Sequence, residues 1–421
     1  MSSRPRLGYL VPRFPDQSHT SAWSEIAAIE DAGVDVVILS TQPPDAVRMP
    51  HDWGRVAMAR TRYLGGAGVL PFLRGLPALP LAAMAGERGL ARDAFAALAP
   101  AARLAGLARR EGFRHVHVQG AGTGALIAAL ARRMGGPTVS LYLPGPLSEG
   151  GPGQNLKWQG LRFATVATAR ILNETRFVLR DDLPLRIAVQ PQGVDTAFFR
   201  RDAAYVPLAP GGTLRLFACG VVAPGKGFQD LLAAARIILD GGQDLHLTIA
   251  GEDPESAPGH RAALAALAQE LRLGSHVTLA GALDAARVRD ELLAAHVFVL
   301  PSWQEPLGTA LMEAMACGVP SVATAAGGVR EIASDGRDAL LVQPRAPAGL
   351  ARAILQIAGN AELARRLSIL ARARSETDHD ARRGALHILR ETGFLPMAHD
   401  DDPIPDLPQA RQRSGPHPDR R

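Results

Sequence analysis

Lysine is almost missing from this chain. Of 46 basic residues only Lys157 and Lys226 are lysines, which makes each a placed charge to inspect. Cysteine is as scarce. Cys219 and Cys317 both fall in apolar segments, which excludes a disulfide framework and fits a reducing compartment. Aromatic residues make up 5% of the chain and are not interleaved with a basic stripe, so a formal charge of +5 does not point to nucleic acid. That charge is compatible with weak attraction to anionic membrane or phosphorylated substrates. The N-terminal MSSRPRLGYLVPRFP has no apolar stretch of the signal-peptide kind before its first prolines. Long hydrophobic runs are missing too. The most membrane-like stretch, residues 64–86, is interrupted by Pro71, Arg74, Pro77 and Pro80, which argues against a spanning helix. It reads as a buried or partly exposed loop–helix region, with a membrane-docking surface as the alternative.

What is present is ordinary α/β material. A length of 421 residues suggests two domains, and 47% hydrophobic with 21% charged residues is typical of a soluble α/β protein. Strand and helix signals alternate: LGYLV, SAWSEIAAIEDAG, VDVVILS, then RHVHVQG, ALIAALARRMG, PTVSLYL and RIAVQPQGVDTAFF. The pattern restarts after LAPGG (208–212) with LRLFACG, FQDLLAAARIILDGG, LHLTIAG, HVTLAG, HVFVLPS, PSVAT and DALLVQP. Such βαβ alternation predicts two successive Rossmann-like, doubly wound parallel sheets. The expected division is 1–205, 206–375, a helical segment at 376–397 that packs back on the first domain, and a disordered tail at 398–421 with few apolar residues.

One small, apolar segment, QEPLGTALMEAMACGVP (304–320), holds two carboxylates, Glu305 and Glu313. HVFVLPS ends a strand, so Glu305 falls in the loop at the carboxyl edge, where open α/β sheets bind ligands. Pro306 suits the first position of a helix, and Gly318 followed by Pro320 suits its end. Leu307, Leu311 and Met315 form a core stripe, while Glu313 aligns with Pro306, Thr309 and Ala310. On that geometry the carboxylates stand about 12 Å apart along the axis. The N–H groups of Leu307, Gly308 and Thr309 then offer an anion site beside Glu305. Carboxylates repel phosphate and accept from hydroxyls, so one glutamate is expected on a sugar and the other on a ribose diol. A nucleotide sugar satisfies the whole arrangement. The bland alternative is a helix cap and a solvated position.

The stretch LPSWQEPLGTALMEAMACGVPSVATAAGGVREI (300–332) resembles the donor-binding signature of retaining GT-B glycosyltransferases of the family 4 type. That pattern is a strand, P-S, E-x7-E, G-x-P, a strand and G-G-x-x-E. GYLVPRFPDQSHTSAWSEIAAIE, GPGQNLKWQGLRFA and QPQGVDTAFFR are similar to its exopolysaccharide and colanic-acid members, so the resemblance extends over most of the chain. It implies a GT-B fold, two Rossmann-like domains facing a central cleft. It implies a metal-independent hexosyltransferase that needs no cofactor beyond its nucleoside-diphosphate sugar co-substrate. Glu305 and Lys226 are the expected catalytic groups. Glu313 would bind ribose, and Leu307, Gly308 and Thr309 the sugar and diphosphate. The expected acceptor is a saccharide or a polyprenyl-diphosphate-linked one, handled in the cytoplasm, with a peripheral contact to the inner membrane.

Two positions depart from the pattern. In FACGVVAPGKGFQDLL, Lys226 matches a diphosphate-clamping lysine, but Val221 stands where the family has arginine; Arg330 is a candidate to fill that place. SLYLPGP puts Pro144 where many members have a histidine, with His19 and His117 as substitutes, His117 more in keeping with a core position. Rival readings follow from other features. Gly120–Ala125 is a literal G-x-G-x-x-A, but the acidic residue a dinucleotide site needs about 20 positions on is missing. A nucleotide-sugar epimerase shares the architecture, and a catalytically silent GT-B homologue would explain both departures. DHD (378–380) and DDD (400–402) match only a loose D-x-D and do not follow a strand, so no metal is expected.

Overall fold

The structure is a computed structural model that describes residues 4–16, 19–44, 52–66, 68–254 and 257–396. Strands β1 (Arg6–Leu10), β2 (Asp35–Ser40), β3 (Arg62–Tyr63), β4 (His115–Gln119), β5 (Thr138–Leu143), β6 (Ala164–Val166) and β7 (Ile187–Val189) form one sheet, in the order β3-β2-β1-β4-β5-β6-β7. Strands β8 (Leu214–Cys219), β9 (Leu245–Ala250), β10 (Val277–Gly281), β11 (Val297–Leu300), β12 (Ser321–Thr324) and β13 (Leu340–Val342) form a second, in the order β10-β9-β8-β11-β12-β13. Neighbouring strands in both sheets pair in parallel, with β8 in register from Leu214 against Leu245 to Cys219 against Ala250. Helices cover both faces. This is why the strands read as unbroken apolar runs and not as alternating ones. The two-sheet expectation is borne out. Only β3 and β6, two and three residues long, escape a reading based on periodicity.

Both sheets reverse their strand order once, between β1 and β4 and between β8 and β11. At such a switch the loops leaving the two strands diverge, and a crevice opens at the carboxyl edge. A cavity lies at each of the two switch points.

The chain crosses between the sheets twice. After β7 it runs to β8. After the helix Ala361–Asp378 it returns, and the crossings are joined by backbone bonds from Val194 N–H to the His379 carbonyl (2.8 Å) and from Ala381 N–H to the Val194 carbonyl (2.9 Å). Thr196 Oγ1 donates to the Asp380 carboxylate at the same place. The helix Ala381–Thr392 then lies on the helix Thr20–Asp31 of the first half, where Ala385, Ile388 and Leu389 share a core with Leu7, Tyr9 and Ile26. The 398–421 segment expected to be a tail lies outside the described residues.

Candidate active site

Lys226 and Glu305 stand at the second switch point. Lys226 closes a 3₁₀ turn (Pro224–Lys226) after β8; Glu305 lies in the loop after β11. These loops interlock. Trp303 N–H donates to the Gly225 carbonyl at 2.8 Å, and a Cβ on Gly227 would collide with the Pro301 carbonyl. Trp303 is fixed in turn by its indole N–H on Asp230 (2.6 Å) and by the Arg345 guanidinium stacked over its ring at 4.3 Å. On this support Lys226 Nζ pairs with Glu305 Oε2 at 2.7 Å, and Ser302 Oγ donates to the same oxygen at 2.9 Å.

The helix after Glu305 starts later than its proline suggests. It runs Thr309–Ala316, so Pro306 is not its first residue. The entry residue is Gly308, at φ +98°, a left-handed conformation that glycine adopts without a Cβ penalty. Its carbonyl accepts from Leu311 and Met312 (3.0 and 3.1 Å), so the free helix-start N–H groups are those of Thr309 and Ala310, beyond the predicted Leu307 and Gly308. The expected 12 Å rise between the glutamates fails with the shorter helix. Leu307 is buried beside the cleft, while Gly308 and Thr309 line it. The Gly327–Gly328 pair presses on this segment from behind: a Cβ on Gly327 would collide with the Glu305 carbonyl, and Gly328 N–H donates to that same carbonyl at 2.9 Å. Glu331 of the same loop reaches the other half of the molecule, where its carboxylate accepts from Ala169 N–H at 2.6 Å at the start of the helix Ala169–Leu179.

Glu313 faces the same cleft, of about 270 Å³, together with Thr309 and Ala310, as the helical phase predicts. It is 8% exposed, and no hydrogen bond or ion pair of its carboxyl occurs among the described residues. Burial alone pushes its pKa up to about 8. Lys226 is the only cationic side chain lining the cleft among the described residues. Val221 is in its wall; Arg330 is not, and is turned to the Ala325 carbonyl at 3.3 Å. The place of the missing arginine is therefore not taken by Arg330. Sequence reading missed the remaining wall: Cys219 and the strand-end Gly220 and Gly251, with Phe199 and Thr20 reaching in from the linker and the first half. The available signal was the pair of glycines that ends LRLFACG and LHLTIAG on adjacent strands. Burial and the nearby Glu313 charge hold the Cys219 thiol well above its usual range.

The larger cavity, about 980 Å³, does not contain the glutamates. It lies at the switch point of the first sheet, between the loop after β1 (Arg13, His19) and the turn after β4 (Gly122, Thr123). His19 lines it, and the adjacent Thr20 lines the donor-side cleft. Pro144, just after β5, borders neither. His117 is in the core. Its Nδ1 shares Ser140 Oγ (2.7 Å) with His115 Nε2, and burial lowers both imidazoles to about 3. The Gly120–Ala125 motif does join a strand to the helix Thr123–Arg133. The first half also holds a buried polar cluster that the sequence did not announce. Tyr9 and Gln192 donate to the buried Glu25 carboxyl, Gln192 from 3.2 Å, and burial raises Glu25 to about 7.

Two successive Rossmann-like parallel sheets, each with a cavity at its switch point, define the GT-B fold class. Among known sequences, residues 205–374, which take in the whole second sheet, match the family model described as glycosyl transferases group 1. The D-inositol 3-phosphate glycosyltransferase of Streptomyces scabiei is 30% identical over 203 residues, 46% of each chain. The alpha-maltose-1-phosphate synthase of Mycolicibacterium smegmatis is 31% identical over 223 residues, 47% of this chain and 56% of that one. The chain thus spans about half the length of the curated relatives it matches. Among solved structures, sucrose-phosphate synthase from Thermosynechococcus elongatus superposes with a TM-score of 0.71 at 20% identity, covering 93% of this chain and 99% of that one. Anabaena HepE in complex with UDP gives 0.70 at 14%, covering 93% and 100%. Those two likenesses establish the fold.

Proposed function

We propose that this chain is a retaining, metal-independent hexosyltransferase. It takes a nucleoside-diphosphate sugar as donor and a saccharide or polyprenyl-diphosphate-linked saccharide as acceptor, in the synthesis of an exopolysaccharide or other surface glycan. The observation that carries this reading is the convergence of Lys226, Glu305, Glu313 and the start of the helix Thr309–Ala316 on one cleft at a sheet switch point. Lys226 and the Thr309 and Ala310 N–H groups would hold the diphosphate, Glu313 the ribose, and Glu305 a sugar hydroxyl. In this reading the acceptor oxygen bonds to the anomeric carbon as the bond to the diphosphate oxygen breaks. The acceptor proton passes to the leaving diphosphate on the same face. The protein contributes positioning and charge stabilisation, with Lys226 released from Glu305 to meet the developing negative charge.

A second reading, a donor-binding homologue without transfer, is favoured by Val221 in the cleft wall. One set of measurements separates the two. Thermal shifts with UDP-, GDP-, ADP- and TDP-sugars should reveal a donor, with UDP-glucose the first to try because HepE has been crystallised with it. Transfer to an added saccharide should persist in excess EDTA, and Glu305→Ala should remove transfer while nucleotide still binds. Donor binding without turnover on any acceptor favours the silent homologue; activity that returns only with added magnesium or manganese refutes the metal-independent assignment.

A further inference from the structure

The helix Ala169–Leu179 of the first half has a start built in two pieces. The N–H groups of its first three residues have no carbonyl behind them within the helix. Thr168, the residue before it, accepts from Ile171 N–H at 3.2 Å and serves only one of them. The other two are served by the second half. The Glu331 carboxylate accepts from Ala169 N–H at 2.6 Å and from Arg170 N–H at 3.3 Å. A negative charge at this place also meets the positive end of the helix dipole. Glu331 is steadied from its own side by Arg374, which donates to its carbonyl at 3.1 Å.

The segment that carries Glu331, the short helix Val329–Ile332 with Gly328 before it, is also the seat of Glu305. Gly328 N–H donates to the Glu305 carbonyl at 2.9 Å, and Ile332 lies where a Cβ on Gly308 would meet it at 3.2 Å. Gly328 is a wedge between the halves. Its φ of −77° suits any residue, yet an added Cβ would collide with the Pro306 carbonyl and with the Thr168 methyl group. Five residues thus hold Glu305 by their backbone and the first half by one side chain. Glu331 itself lines neither cavity. We propose that Glu331 is a positioning residue: by capping a helix of the first half it fixes the loop that sets Glu305 against the donor sugar. The proposal rests on the reading of Glu305 as the group on the sugar. Glu313 and the Thr309 and Ala310 N–H groups, proposed for the nucleotide, belong to the second half alone and do not need this cap.

Two substitutions in the full chain remove the cap from opposite sides. Glu331→Gln keeps the shape and removes the charge. Ala169→Pro removes the N–H that the carboxylate accepts, in the half that holds none of the proposed donor groups. Proline is tolerated at a first helical position, and Thr168 before it is already extended (φ −143°, ψ 156°), as a residue before proline prefers. Calorimetry gives the dissociation constants of UDP and of UDP-glucose, whose ratio isolates the sugar contact. Hydrogen exchange at the Gly328 amide reports the seat of Glu305 without any ligand. Either variant should weaken UDP-glucose roughly two- to fivefold, the range for a charge at a helix start. UDP affinity and circular dichroism should stay at wild type, and Gly328 should exchange faster. Equal weakening of UDP and UDP-glucose would give Glu331 a general structural role and overturns the proposal. So does an Ala169→Pro chain with wild-type affinity for UDP-glucose and wild-type exchange at Gly328. A wild-type chain that binds neither ligand counts against the proposed function; exchange at Gly328 in Ala169→Pro then decides the proposal, and an unchanged rate overturns it.

Discussion

Glu313 should make donor binding depend on pH in a definite direction. Buried without a partner among the described residues, its carboxyl is pushed up to a pKa of about 8. A ribose diol would donate two hydrogen bonds to the ionised form and so lower that pKa in the complex. Binding must then release a proton wherever the pH lies between the two values. The affinity should rise about tenfold per pH unit up to pH ~8 and level off above it, a span of up to roughly a hundredfold from pH ~6. Glu313→Gln keeps the shape and removes the titration, so its affinity should follow only the ligand's own phosphate ionisation. The assay is calorimetry of nucleoside diphosphate in two buffers of different ionisation enthalpy. Near neutral pH it should show close to one more proton released by wild type than by the glutamine variant. Stability moves the other way. The folded-state pKa is raised above the ordinary 4.5, so the contribution of the neutral carboxyl is complete below pH 4.5 and is lost as pH rises through about 8. Glu313→Gln should accordingly raise the melting temperature at neutral pH while weakening binding. Equal pH slopes for wild type and Glu313→Gln would refute the assignment of Glu313 to the ribose.

Gly327→Ala should force its Cβ into the Glu305 carbonyl and destabilise the fold by about 1–3 kcal/mol, the usual range for overpacking; a denaturant midpoint equal to wild type would show that the loop gives way freely. Val221→Arg adds a second cation to a cleft in which Lys226 is the only one among the described residues. A charged hydrogen bond contributes about 1.5–3 kcal/mol, so the nucleotide dissociation constant should fall roughly 10- to 150-fold. An unchanged constant means that the arginine cannot reach the diphosphate from this position.

The parts of this molecule that were legible are those whose chemistry is local. Buried parallel strands announce themselves as short apolar runs, so eleven of the thirteen strands among the described residues were legible; β3, two residues long, and β6, Ala164–Val166, were not. Lys226 and the roles expected of Lys226, Glu305 and Glu313 rested on the family resemblance, whereas Glu305 and Glu313 stood out as carboxylates in a small apolar segment at a strand end. The same reasoning misplaced the helix start, because Pro306 fits a first helical position equally well in isolation. Only the packing of Gly308 and of the Gly327 loop decides between Pro306 and Thr309. The Glu25 cluster had no local signal at all. Tyr9, Glu25, Gln119 and Gln192 meet across 183 residues of chain, and no spacing connects them.

The helix Ala381–Thr392 has a bearing on how the protein is made. It supplies Ala385, Ile388 and Leu389 to a core otherwise built from residues near the start of the chain, and Gly384 lies directly against Glu25. A ribosome must therefore synthesise the entire second sheet before the first half can close. The interval from the end of β7 to this helix is roughly 190 residues, about 10–40 s at ordinary elongation rates. Throughout that time the side of the helix Thr20–Asp31 that meets the helix Ala381–Thr392 has no permanent cover. The nascent first half is thus expected to need a holding chaperone, and chains cut short before Ala381 should accumulate as aggregates.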